Sequence, residues 1–217
     1  MLGNLTDSNS VILIGKANDY PVFSHEVFGE GFYIFHFSVL RLSDCYDLIP
    51  ILISDRLLVP SKIVPGLKLR IEGQFRSYNS KDSIEHKLLL SVFAREVEEI
   101  TSEEDTKNPN SIELNGFICK KPVFRTTPSG REISDVLLAV NRSYNKSDYL
   151  PCISWGRNAR YTQSLKVGDN IKVWGRIQSR EYQKHKEDGE VFTKVAYEIS
   201  VSKLVLIENS EKTSGTL

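Results

Sequence analysis

Two tryptophans, Trp155 and Trp174, and three tyrosines, Tyr144, Tyr149 and Tyr182, stand close in sequence to Arg142, Arg176 and Arg180. Flat rings beside fixed positive charge can do one kind of chemistry well. An aromatic face stacks on an unpaired nucleobase of any identity, at about 1–3 kcal/mol per stack. Arginine and lysine beside it neutralise phosphates, so binding weakens as salt rises. Candidate phosphate contacts are Lys120, Lys121, Arg125, Arg131, Arg142, Lys146, Arg176, Arg180, Lys184 and Lys186. The plain alternative for each cation is a solvated surface charge, and for each ring, core packing. Tyr161 is expected in the core. Trp174 is read equally as a stacking residue or as part of a subunit interface.

Stacking requires that the rings share a face, and strand alternation provides the test. Ile171, Val173 and Ile177 have one parity and belong to a core; Trp174, Arg176, Gln178, Arg180 and Tyr182 have the other. In the preceding apolar segment Tyr149, Ile153 and Trp155 share a parity, and Tyr144 lies just past the segment before that.

Catalytic constellations are not legible. His25, His36, His86 and His185 have no partners at metal or triad spacing, and GxxxxGK[ST], HExxH and GxSxG do not occur. No enzyme activity, cofactor or metal is expected. Cys45, Cys119 and Cys152 are widely spaced without a CxxC pair, which suits reduced thiols. The first ten residues have neither a basic stretch nor an apolar run, and no apolar segment approaches a membrane span. A soluble, cytoplasmic, nucleoid-associated protein is expected, without membrane partners.

The elements that position these residues come twice. Asn9–Gly15 matches Asn110–Gly116, Pro21–Phe23 matches Pro122–Phe124, and Ile49–Pro50 matches Leu150–Pro151, all 101 positions apart; Gly66–Gly73 matches Gly168–Gly175 with one further residue inserted. Such self-similarity marks two copies of one domain. Period-two alternation and turn signals such as Thr127-Pro128-Ser129-Gly130 predict strands, with room for a short helix at Arg157–Leu165 and at Ser54–Ile63. The expected fold is all-β: two tandem five-stranded oligonucleotide-binding (OB) barrels, each with a short helix between strands three and four. The domains are 1–100, a polar acidic linker 101–109, 110–207, and a disordered tail 208–217.

Charge separates the copies. Residues 1–100 hold 10 Lys and Arg against 13 Asp and Glu, while residues 110–207 hold 16 against 10, although the whole chain is neutral. One basic half suggests that this half meets a polyanion.

Over Ser111–Leu206 the chain resembles the bacterial single-stranded DNA-binding protein family. The resemblance runs through Leu114-Asn115-Gly116, Thr127-Pro128-Ser129-Gly130, Leu138-Ala139-Val140-Asn141-Arg142, Ser154-Trp155-Gly156-Arg157-Asn158-Ala159, Leu165-Lys166-Val167-Gly168-Asp169 and Gly175-Arg176-Ile177-Gln178-Ser179-Arg180. It implies stacking roles for Tyr144, Tyr149, Trp155 and Tyr182, and a DNA-gripping hairpin over Tyr182–Phe192 with Lys184, His185 and Lys186. It implies assembly presenting four barrels, hence a homodimer of this two-barrel chain, and roles in DNA replication, recombination and repair. The acidic-hydrophobic tip by which the family recruits enzymes is not found in residues 208–217. The first copy departs further: Leu48 stands at the Tyr149 position, Ser54 at Trp155, Ser80 at Tyr182, about Ser43 at Tyr144, and Glu72 at Trp174. It is expected to be chiefly structural, dimerising or partner-binding, the alternative being weaker DNA contact through Arg41, Arg70, Arg76 and Tyr78. The rival reading for the chain is a scaffold subunit of a replication or DNA-transfer complex with weak nucleic-acid affinity; RNA binding is a third, since stacking does not distinguish the sugars.

Overall fold

The structure, a computed structural model, describes residues 8–79, 88–101, 108–185 and 191–207. The expected linker falls largely at 102–107 and the expected tail at 208–217, so both lie mostly or wholly outside the described residues, as do Ser80, His86 and Lys186.

The first copy consists of β1 (Asn9–Ala17), β2 (Val22–Val27), β3 (Glu30–Leu40), β4 (Tyr46–Ser54), β5 (Lys68–Asn79) and β6 (Leu88–Glu99). The second repeats it with β7 (Asn110–Ile118), β8 (Val123–Thr126), β9 (Glu132–Arg142), β10 (Lys146–Trp155), α1 (Gly156–Thr162), β11 (Asn170–His185) and β12 (Val191–Leu206). In each copy five strands close on themselves: β1–β5–β6–β4–β3 returns through β3–β1, and β7–β11–β12–β10–β9 returns through β9–β7. Closure removes unpaired edges. The sixth strand, β2 or β8, is a short flap hydrogen-bonded to β3 or β9.

Alternation accounts for the core. Along β9 the buried Val136, Leu138 and Val140 take turns with Asp135, Leu137, Ala139 and Asn141. Val11, Leu13, Phe35, Phe37, Ile71 and Phe75 fill one barrel; Ile112, Leu114, Leu150, Ile171, Val173 and Ile177 fill the other. In each barrel one glycine faces a β-bulge: Trp174 pairs with Lys203 but Gly175 with Val201, and Glu72 pairs with Glu96 but Gly73 with Ala94. The odd residues are Ser202 and Arg95. A Cβ at either glycine would lie 2.2 Å from a backbone oxygen, of Phe93 or Ser200, so no other residue fits.

The helix slots differ. The second copy holds the two-turn α1, with Ala159 and Thr162 facing inward. The first holds only the 3-10 turn Pro60–Lys62, because Pro60 and Pro65 bracket a stretch too short to propagate a helix. Tyr161 is not in the core: it is 43% exposed, on the outer side of α1.

The barrels are not beads on a linker. β1 pairs antiparallel with β7, with Val11 opposite Ile112, Ser10 opposite Glu113 and Leu13 opposite Asn110, so all twelve strands form one hydrogen-bonded sheet. Val11 and Ile112 are repeat equivalents, which makes the seam self-complementary, as in a two-fold dimer. Its polar contacts repeat likewise. Asn9 bonds both backbone groups of Phe75, and Asn110 both of Ile177. Asp47 accepts from the Ser179 amide at 2.7 Å, and Asp148 from the Ser77 amide at 2.8 Å. Ser179 Oγ accepts from the Leu48 amide, and Ser77 Oγ from the Tyr149 amide. The two barrels are thus joined by strand pairing within one chain, at β1 and β7.

Candidate nucleic-acid interface

The outward parity of β10 presents Tyr149 and Trp155, 47% and 36% exposed. On β9 their outward neighbours are Ala139 beside Tyr149 and Asp135 beside Ile153. β10 runs parallel to β12, with Ile153 opposite Ser200, and the Trp155 indole Nε1 donates to Ser200 Oγ at 3.3 Å. Ser200 is in turn opposite Arg176 on β11. The outward side chains of β11 then follow in order: Arg176, Gln178, Arg180, Tyr182. Tyr182 is 39% exposed and the Arg180 guanidinium lies 5.9 Å from its ring centre. Tyr149, Trp155, Arg176, Arg180 and Tyr182 therefore share one solvent-facing surface of the second barrel. Arg125, on β8, borders it and pairs with Asp135 through two nitrogens at 2.9 and 3.3 Å. Lys184 continues the β11 parity and is exposed.

Tyr144 sits at the tip of the β9–β10 hairpin, 94% exposed. Both it and Asn145 have left-handed backbones, with φ of 62° and 54°. A bulky residue in that region is strained. The turn thus holds a tyrosine ring in water where glycine would be the relaxed choice.

Trp174 has the same parity but a different setting. It is half-buried, the Lys172 and Lys203 ammonium groups lie 5.2 and 4.7 Å from its ring centre, and its Nε1 donates to Glu113 Oε2 at 2.7 Å. Its neighbour β7 forms the seam with the first barrel. The Glu113 carboxyl is held below its usual range, first by the hydrogen bond from Lys172 and also by that from Trp174.

Several predicted phosphate ligands already have carboxylate partners. Arg176 Nη1 is 3.0 Å from Asp47 Oδ2, a carboxylate that is 1% exposed and also held by Arg41. Arg142 Nη1 is 3.5 Å from Asp148 and Arg180 Nε 3.9 Å from Glu198. In the first copy Arg70 pairs with Glu72. Lys172, Lys194 and Lys203 escaped the sequence reading. Lys172 carried a signal in its parity with Trp174; Lys203 was hidden by the bulge at Ser202, which shifts the β12 register. Among the described residues no group of three or more His, Cys, Asp or Glu is placed to hold a metal ion, and no helix is long and apolar enough to cross a membrane.

The first barrel presents other residues at these places. Leu48 and Ser54 occupy the Tyr149 and Trp155 positions, and the Ser54 hydroxyl bonds the Glu30 carboxylate instead. Glu72 and Glu96 stand opposite each other where the second copy has Trp174 and Lys203. Phe93 stands at the Ser200 position, under the Arg76 guanidinium at 3.9 Å.

Residues 109–207 match the model of the single-strand binding protein family. Single-stranded DNA-binding protein B of Bacillus subtilis is 36% identical over 81 residues, which span 34% of this chain and 72% of that relative. The chain belongs to the single-strand binding protein family. Single-stranded DNA-binding protein A of the same organism is 35% identical over 81 residues, 47% of its length. The chain spans about half the length of most of the curated relatives it matches. The whole molecule resembles the crystal structure of the wild-type single-stranded DNA binding protein from Thermus aquaticus, with a TM-score of 0.75, 18% identity, and coverage of 95% of this chain and 96% of that one. At that identity the likeness establishes the fold: tandem OB barrels. The resemblance read from Ser111–Leu206 and the family match cover nearly the same residues.

Proposed function

We propose that this chain binds single-stranded DNA without sequence preference and without catalysis, protecting it during replication, recombination or repair in the cytoplasm. The observation that carries the reading is the shared outer face of β10 and β11, where Tyr149, Trp155 and Tyr182 are exposed among Arg176, Arg180 and Lys184, with Tyr144 beyond the hairpin. Bases lie on the rings; phosphates meet Arg125, Arg142, Arg176, Arg180 and Lys184. Arg125 and Arg180, whose partners Asp135 and Glu198 are partly solvated, exchange them for a phosphate, while Arg142 and Arg176 keep the buried Asp148 and Asp47 and offer a phosphate the nitrogens left over. Trp174, close to two lysines, contributes mainly by holding that end of the face in place. Four barrels are reached when two chains associate as a homodimer.

Both tryptophans lie in the second copy. Oligo-dT at low salt should quench their emission strongly, with recovery as salt is added. Unchanged emission together with no shift in sedimentation would overturn the reading in favour of a scaffold subunit. Oligo-rU in parallel separates DNA from RNA preference, and sedimentation mass without DNA tests the homodimer.

A further inference from the structure

Between the barrels, next to the Tyr144 hairpin, the structure opens a cleft of about 550 Å³. The first copy contributes Arg76 from β5 and Arg95 from β6; the second contributes Arg142, Tyr144, Lys146 and Asp148. Four cations thus face one carboxylate. Asp148 is itself engaged by the Ser77 amide and by Arg142. Arg76 and Arg95 both donate to Gln74 Oε1, at 2.9 and 3.2 Å, a neutral acceptor that fixes the two guanidinium groups side by side. Among the described residues neither has an ion-pair partner.

Each feature of the fold brings positive charge to this place. Arg95 is the bulge residue of β6, and a bulge re-aims its side chain out of the regular alternation. Arg76 is braced from below by the Phe93 ring. Mutual repulsion is retained: the Arg76 guanidinium is held down to about 10, mainly by burial, then by Arg142 and Arg95. On the other side of the seam the excess is smaller, since Asp47 there takes both Arg41 and Arg176. A partly buried cluster with more positive than negative charge is a binding surface for a polyanion. Tyr144 at the rim offers a base a stacking face, which favours a nucleic acid over a bare polyphosphate.

We infer that this cleft is a crossing point, where the phosphodiester backbone of a single strand leaves the aromatic face of the second barrel and passes onto the first between Arg76, Arg95, Arg142 and Lys146. The inference rests on the single-strand reading above. The first barrel then takes part in binding through phosphates, without stacking rings at the Tyr149 and Trp155 positions.

The test uses the full chain and its tryptophan quenching with oligo-dT of about 8 nucleotides, which one barrel can hold, and of about 30, which must extend beyond it. The double substitution Arg76→Ala with Arg95→Ala should leave the short oligomer's affinity unchanged. For the long one it should lower affinity at least about tenfold at low salt and reduce the slope of log K against log salt by about 1.4, two cations at about 0.7 each. Arg76→Lys with Arg95→Lys keeps the charge and should restore most of both, which separates lost contact from lost folding. Equal long-strand affinity and slope in wild type and the alanine variant, with quenching intact, would overturn the crossing and leave the function standing. No quenching of the wild type by either length would overturn both. Inorganic polyphosphate that removes the long-strand advantage at equal phosphate concentration would overturn the assignment to a nucleic acid.

Discussion

The two barrels are built on one plan and differ on one surface. Inward residues, the glycine opposite the bulge, and the Asn9/Asn110, Asp47/Asp148 and Ser77/Ser179 contacts are duplicated. The outward residues of the same strands are not: the exposed Tyr149 and Trp155 and the half-buried Trp174 stand on one barrel where Leu48, Ser54 and Glu72 stand on the other. A strand gives alternate residues to alternate environments. One parity is therefore held by packing while the other is free to gain or lose a ligand surface. The first copy retains a barrel and a seam after relinquishing the stacking rings.

The comparison can be broken most severely at the rings. Trp155→Ala with Tyr182→Ala should cost about 2–6 kcal/mol of single-strand affinity if each removes one stack, with Tm nearly unchanged; a titration that finds native affinity in the folded variant refutes the stacking face. Asp47→Ala attacks what the copies share. It leaves Arg41 and Arg176 without their buried counter-charge, and stability should fall by about 3 kcal/mol, the low end for breaking a buried pair because Arg176 stays partly wet. Denaturant unfolding reads this, and a loss below 1 kcal/mol would mean that the seam does not depend on the contact. Grafting runs the other way: Ser54→Trp with Leu48→Tyr should add up to about 1–3 kcal/mol of affinity for long strands, since the grafted rings lie on an acidic face. The smallest effect is expected at the hairpin. Tyr144→Gly relieves a left-handed backbone and should raise stability by up to about 1 kcal/mol while weakening binding by roughly one stack. Opposite movement of Tm and affinity is the signature.

Much of this was legible from residue order because parity is a local property. The outward series Arg176, Arg180, Tyr182 and the pair Tyr149, Trp155 follow from counting by two, and the repeat offset located the positions where the first copy lacks rings. What escaped depends on distance along the chain. Nothing near Arg176 announces that Asp47, from the acidic half, will neutralise it; nor does the Val11–Ile14 run say that its partner is Ile112 rather than another chain. Tyr161 was assigned to the core because a helix slot was expected to bury its aromatic, whereas a helix of only two turns has room inside for Ala159 and Thr162 alone. A net charge summed over each half also conceals the cleft, whose cations come from both.

The antiparallel β1–β7 ladder has one more consequence. In an assembly of identical subunits, any change near the symmetry axis appears on both sides at once, and the contact weakens on dilution. Here the halves are tethered, so dilution cannot part them, and a substitution at Asp47 is not copied to Asp148. Covalent linkage has lifted the obligation to be identical, and the two sides of a single junction can acquire unequal electrostatic characters.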